Sequence, residues 1–334
     1  MTRVCAPEHG EKTVNGYGGP MPEPFYLGIE IGGTKIQLCA GTAGGAIVAR
    51  ERFTVDRARG AGGIRDEIGR RAPALCRRFG VRAVGAGFGG PVRTAAGRTI
   101  TSHQVPGWDD FPLRDWLVER LGLPAHVEND SNLAGWAEYR LGAGRGARCM
   151  VYANIGSGIG GCVVLGGALF NGQGFGAGEI GHTRVPIAGG GDEALERVAS
   201  AWAFERRLRE RYPMEPGAPL AGLCGGDRGA IDGARAAEAA RRGDAFVLAA
   251  FREEAEAVGI ALANVATLLC PEVIAVGGGL SLAGDVLFAP LAAALDARVI
   301  GAFRGAYRLV PAALGDDVVV SGALLLAAGD VQMM

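Results

Sequence analysis

The feature that most limits how this chain can fold is a strand-and-turn opening that occurs twice. An apolar run from Phe25 through Tyr26-Leu27-Gly28-Ile29-Glu30-Ile31 ends in Gly32-Gly33 and leads into a second apolar segment at 35–40. Residues 149–155 repeat the arrangement: they end in Gly156-Ser157-Gly158, and 160–165 returns. Two such openings, each followed by helical patterns, predict two similar α/β halves around a central cleft. A third apolar strand, 273–276, enters Gly277-Gly278-Gly279. Ligands of open α/β sheets sit at the carboxyl ends of strands, and all three glycine turns fall there.

Between these landmarks, residues 46–55, 81–88 and 125–127 read as strands. Residues 64–79, 113–121, 131–141, 192–211, 231–242, 244–268 and 318–328 read as helices. Residues 1–24 read as a disordered lead-in without the apolar core of a secretory signal. The domain boundaries expected are a smaller domain of 25–130 plus about 318–330 and a larger one of 131–317. Charges nearly cancel, with 34 basic and 35 acidic residues, so neither nucleic acid nor a membrane surface is an expected partner. The Arg-rich pairs (70–71, 77–78, 206–207, 241–242) read as solvated helix faces. Seven scattered cysteines form no C-x-x-C pair, and several lie in apolar runs, as in Leu269-Cys270-Pro271. They read as buried small hydrophobes in a reducing compartment, which points to the cytoplasm.

With 57 glycines in 334 residues, one Gly-Gly pair is most simply a tight turn. Three polar glycine turns directly after apolar strands say more. Gly32-Gly33-Thr34-Lys35, Gly156-Ser157-Gly158 and Gly277-Gly278-Gly279 can bring backbone N–H groups to phosphate oxygens. No Walker loop and no dinucleotide fingerprint is present. Glu30 sits in the first strand. Next to a polyphosphate, a buried carboxylate there suits hydrated Mg²⁺, and a solvent-facing strand Glu fits the pattern equally well. Asp130 is the expected general base, beside Asn129, whose amide can both donate to and accept from a sugar hydroxyl. Asp130 could instead cap the helix, though Ser131 or Asn132 would serve as well. Glu179 and His182 stand three residues apart among glycines that disfavour a surface helix, and can converge on one small polar ligand.

Taken together, these residues resemble the ROK family of sugar kinases, within the actin-like ATPase, hexokinase-type fold. The resemblance runs from residue 25 to about 328. It rests on Leu27 to Lys35, Glu128-Asn-Asp-Ser-Asn132, Ile155 to Gly161, Gly176-Ala-Gly-Glu-Ile-Gly-His182, Leu195 to Ser200 and Pro271 to Gly279. It implies an ATP- and Mg²⁺-dependent kinase acting on the 6-hydroxyl of a hexose, and a homodimer. Asp130 falls on the catalytic base. Gly90, Gln104, Asn129, Glu179, His182 and Glu196 fall at the sugar. Residues 32–35 and 156–158 fall on the phosphate loops, and 277–279 on the nucleotide side. Glucose is the default acceptor; kanosamine, glucosamine, N-acetylglucosamine, N-acetylmannosamine and fructose are alternatives, and polyphosphate is an alternative donor.

Four departures stand out. Glu30 replaces the usual Asp, and Ser102-His103-Gln104-Val105 replaces Ser-Pro-Asn-Leu. Arg93 replaces an Asp. The family's three zinc cysteines fall on Ile187, Gly189 and Ala194, so no zinc is expected. Some ROK proteins are repressors, but they carry a helix-turn-helix ahead of the first strand, which residues 1–24 are too short to supply. A catalytically dead sugar sensor is disfavoured by Asp130.

Overall fold

The computed structural model describes residues 23–102 and 104–334. The expected lead-in therefore lies almost wholly outside the described residues, and His103 does too. Strands β1 (Phe25–Ile31), β2 (Lys35–Thr42) and β3 (Ile47–Thr54) form an antiparallel meander. Helix α1 (Gly60–Phe79), β4 (Val84–Phe88), the small hairpin β5 (Val92–Arg93) and β6 (Arg98–Thr99), α2 (Leu113–Leu121) and β7 (Ala125–Asn129) follow. Helix α3 (Asp130–Leu141) leads to the second block, β8 (Cys149–Ile155), β9 (Ile159–Leu165) and β10 (Ala168–Leu169). Next come the hairpin β11 (Arg184–Pro186) and β12 (Asp192–Ala194), then α4 (Leu195–Ala199), α5 (Ala201–Arg211), α6 (Pro219–Leu223), α7 (Gly233–Arg241) and α8 (Ala245–Leu269). The chain finishes with β13 (Val273–Gly277), α9 (Asp285–Arg298), β14 (Arg308–Pro311) and α10 (Val318–Ala327).

The two main sheets share one topology. Their orders are β3-β2-β1-β4-β7 and β10-β9-β8-β13-β14. In each, three antiparallel strands are extended by two parallel ones. The duplication expected from the repeated openings is therefore present, strand for strand. The first sheet buries Leu27, Ile29 and Phe88 against α1 and α2. The second buries Ile155, Ile274 and Val276 with Phe204, Phe251 and Leu287.

Helix α10 leaves the second sheet's last strand and packs on β1, β4 and α3, while α3 packs chiefly on β8, β9 and α10. Two glycines make this possible. A Cβ on Gly85 would overlap Ala323 O, and one on Gly322 would overlap Leu133 O, so helix and backbone meet without side chains between them.

Several boundaries differ from the expectation. The single helix expected over 192–211 is β12, α4 and α5, because Ser200 adopts an extended backbone and its Oγ accepts from Ala203 N at 3.2 Å to cap α5. The strand expected from 81 begins at Val84, since Val81 N still donates to Cys76 O of α1. Helices α6 and α9 and strand β14 lacked a pattern strong enough to predict. Cys270 is exposed, contrary to expectation: it is the left-handed C-cap of α8, at φ 47°. Of the arginine pairs, Arg207 is not a solvated face but pairs with the fully buried Glu254 at 2.6 Å. No helix among the described residues is long and apolar enough to cross a membrane.

Candidate active site

Strand β7 passes into α3 without a loop, so consecutive residues do different jobs. Asn129, not Asp130, Ser131 or Asn132, is the N-cap: its Oδ1 accepts from Ser131 N at 2.9 Å and Asn132 N at 3.0 Å. Its Nδ2 donates to Gly90 O at 3.1 Å. The expectation that this amide both donates and accepts at a ligand is therefore corrected. Its oxygen is spent on the cap, leaving one N–H to offer.

Relieved of capping, the Asp130 carboxylate turns into the cleft, where Oδ1 accepts from Ser131 Oγ at 3.2 Å. Burial first, and then the Glu30 charge, push its pKa up to about 7 against the pull of the Ser131 hydrogen bonds. Such a group accepts a proton readily near neutrality.

The cleft is two adjoining chambers. The wider, about 520 Å³, is bordered by Gly90, Asn129, Glu179, His182 and Glu196. The narrower, about 280 Å³, is bordered by Glu30, residues 32–35, Gly156 and residues 277–279. Asp130, Ser131, Gly89, Gln104, Asn154 and Ser157 border both. Every residue expected at the site from the sequence thus borders one chamber or the other. Gly158, placed with the phosphate loops by resemblance, borders the wider chamber, with Glu196 Oε2 leaning over it.

In the wider chamber, Glu179 and His182 flank a single tight turn, with His182 N donating to Glu179 O at 3.1 Å. A Cβ on Gly181 would overlap Ile159 O, so the turn rests directly on the β9 backbone. Residues 187, 189 and 194, where the resemblance places zinc cysteines, lie in the β11–β12 hairpin. Arg184 Nε donates to Asp192 Oδ1 at 2.5 Å, and Arg184 Nη2 donates to Asp192 O at 2.8 Å. Among the described residues no group of three or more His, Cys, Asp or Glu side chains is placed to hold a metal ion.

In the narrower chamber, Glu30 is largely covered rather than solvent-facing. Gln37 Nε2 donates to its Oε2 at 2.5 Å, and Lys35 Nζ stands 3.8 Å from Oε1 and 3.9 Å from Asp316. Burial raises the Glu30 pKa, with Lys35 opposing. Arg93 has a structural role: with Arg98 it holds Asp110 in a left-handed turn, φ 45°, the Arg93 pair measuring 2.9 Å.

Sequence reasoning missed Asn154, which borders both chambers. The duplication held the signal, because Asn154 precedes Gly156 on β8 as Glu30 precedes Gly32 on β1. Trp202 and Arg206 at the rim of the wider chamber were missed as well, and no local pattern marks them.

Two sheets of one topology meeting at a shared cleft are the actin-like ATPase fold of sugar kinases. The ROK family model matches residues 26–330, and the chain belongs to that family. A glucokinase of Halalkalibacterium halodurans is 34% identical over 315 residues, covering 90% of this chain and 94% of its own. A glucokinase of Thermotoga maritima is also 34% identical over 315 residues, covering 91% and 97%. Among solved structures, a ROK family glucokinase from Streptomyces griseus in complex with glucose and AMPPNP superposes with a TM-score of 0.81. It is 33% identical and covers 91% of this chain and 99% of its own.

Proposed function

We propose that the chain is an ATP-dependent glucokinase that transfers the γ-phosphoryl group of ATP to the 6-hydroxyl of glucose. The observation that carries this reading is the position of Asp130 on the wall common to both chambers. A hydroxyl in the wider chamber and a phosphoryl group in the narrower one then meet beside a carboxylate poised near neutral pH. The similarity to glucokinases over nine-tenths of the chain supports glucose as the acceptor.

Asn129, Glu179, His182 and Glu196, with the Gly90 backbone, orient the sugar so that its 6-hydroxyl faces Asp130. Asp130 accepts the hydroxyl proton as the new O–P bond forms and ADP departs. Within residues 32–35 and 156–157, the Gly32 and Gly156 N–H groups close the turns, and the remaining backbone N–H groups with the Thr34 and Ser157 hydroxyls hold phosphate oxygens, while 277–279 border the nucleoside end. Positioning and charge neutralisation supply most of the rate in such a transfer.

The narrower chamber fits Mg²⁺. Its donors are hard carboxylate oxygens, and Glu30 and Asp130 border it together, so a cation would offset the repulsion that Lys35 only partly balances. Glu30 would hold the ion directly or through water, and the ion would neutralise phosphate charge. We further propose that 25–130 with about 318–330 closes as one lobe on 131–317, excluding water. The proposed assembly is a homodimer, by family resemblance, and the proposed compartment the cytoplasm, from the cysteine usage.

A coupled assay with ATP and Mg²⁺ over glucose, fructose and the amino and N-acetylated hexoses tests the reading. Glucose should give the highest kcat/KM; a folded protein that turns over none of them sinks it. Elemental analysis finding one tightly bound zinc per chain would overturn the zinc-free loop.

A further inference from the structure

Gln104, expected at the sugar, borders both chambers, and its side chain also reaches the phosphate side of the cleft. Its Nε2 donates to Ser157 Oγ at 3.2 Å, across the cleft on the turn after β8. Its stem lies over the turn after β1, where a Cβ on Gly33 would overlap both Gln104 Oε1 and Gln104 Cβ. One carboxamide thus touches both glycine turns assigned to phosphate, and it borders both chambers. Its base is fixed: Ser102 Oγ accepts from Gln104 N at 3.3 Å and Val105 N at 3.2 Å, and Val105 is buried in the first core.

A phosphoryl group leaving the narrower chamber must cross the wall the two chambers share. Two carboxylates, Asp130 and Glu30, already crowd this region. Phosphoryl oxygens there need donors. The Ser131 hydroxyl is committed to Asp130. Gln104 Nε2 carries a second hydrogen for which no partner stands among the described residues, and as a neutral donor it adds no charge beside Asp130. The extra methylene of Gln over Asn is what lets the amide reach Ser157.

We propose that Gln104 is a catalytic residue for the phosphoryl group rather than a sugar ligand, donating to the γ-phosphoryl oxygens at the passage between the chambers. This rests on the kinase reading, and it predicts two separate readouts on Gln104→Ala and Gln104→Asn in the full chain. In steady-state kinetics, Gln104→Ala should lower kcat about ten-fold or more, with glucose KM and hexose preference unchanged. ATP hydrolysis without sugar should rise relative to transfer. In equilibrium binding with Mg²⁺, Gln104→Ala should shrink the affinity ratio of AMPPNP over ADP about ten-fold, and Gln104→Asn should recover little of it. The binding readout needs no turnover, so it stands even if the hexose panel fails and the kinase reading falls. A rise in glucose KM with kcat and the AMPPNP-to-ADP ratio unchanged would overturn the proposal in favour of a sugar contact. A change in thermal stability alone would reduce Gln104 to a latch between lobes and overturn it equally.

Discussion

Asn171 Nδ2 lies 3.3 Å from Glu128 Oε2, tying the loop that leads to Glu179 to the strand that delivers Asp130. Glu128 is fully buried, and burial raises its pKa. Its four hydrogen-bond donors are the Asn129 N–H, Asn132 Nδ2, the Thr94 hydroxyl and Asn171 Nδ2. These come from three separate segments, and four donors suit a carboxylate in its ionised form. Glu128 is thus a cross-brace beneath Asn129 and Asp130.

Asn171→Ala should loosen that brace without exposing the core. We expect glucose KM to rise several-fold while ATP KM stays put, at a stability cost of about 1 kcal/mol. Equal increases in both KM values would deny the brace its specificity.

Asp130→Asn should cut kcat by several orders of magnitude while glucose still binds, as titration of the inactive variant would show. In the wild type, kcat/KM should climb as pH rises through about 7, where Asp130 becomes a competent base. Stability runs the opposite way. The native pKa is raised, so the native state binds the proton more tightly than the unfolded chain does. The stabilisation from that proton is present below about pH 4 and is lost as pH rises through about 7. Thermal melts should show this decline in the wild type and its absence in Asp130→Asn.

Arg207 pairs with buried Glu254 and also donates to Val198 O, between Glu196 and the α5 cap. Burial pushes Glu254 up to about 8 against the pull of Arg207, so its contribution to stability falls as pH rises through that value. Arg207→Met strands the carboxylate. It should cost about 3–5 kcal/mol at pH 9, where a charge is buried unpaired, and clearly less at pH 6, where Glu254 is neutral. Urea unfolding at the two pH values checks this, and equal losses would contradict it.

Gly278 has φ 85°, and a Cβ there would overlap Ile155 O and Asn154 Oδ1. Gly278→Ala should therefore distort the turn bordering the narrower chamber, at a cost of about 1–2 kcal/mol from the left-handed backbone alone. ATP KM should rise with glucose KM little changed; unaltered ATP kinetics would separate this turn from the nucleotide.

The sequence by itself determined the fold class, the duplicated sheets and many of the residues bordering the cleft, though not Asn154, Trp202 or Arg206. Each is written locally: short continuous apolar runs make buried strands, glycines after them make ligand turns, and Glu128-Asn-Asp marks a strand passing into a helix. Division of labour within those motifs was decided only by tertiary structure. Asp130, Ser131 and Asn132 are all plausible caps on sequence, yet it is the Asn129 oxygen that meets the Ser131 and Asn132 N–H groups. Gln104 reads as a sugar amide on sequence, and only folding brings Ser157 and Gly33, on turns after strands of different sheets, against the same side chain. Asp130 acquires its high proton affinity from burial and from Glu30, a hundred residues earlier in the chain. Local pattern specifies which groups reach the cleft. Hydrogen-bond partners and electrostatic neighbours come from distant segments, and only their packing together assigns each group its work.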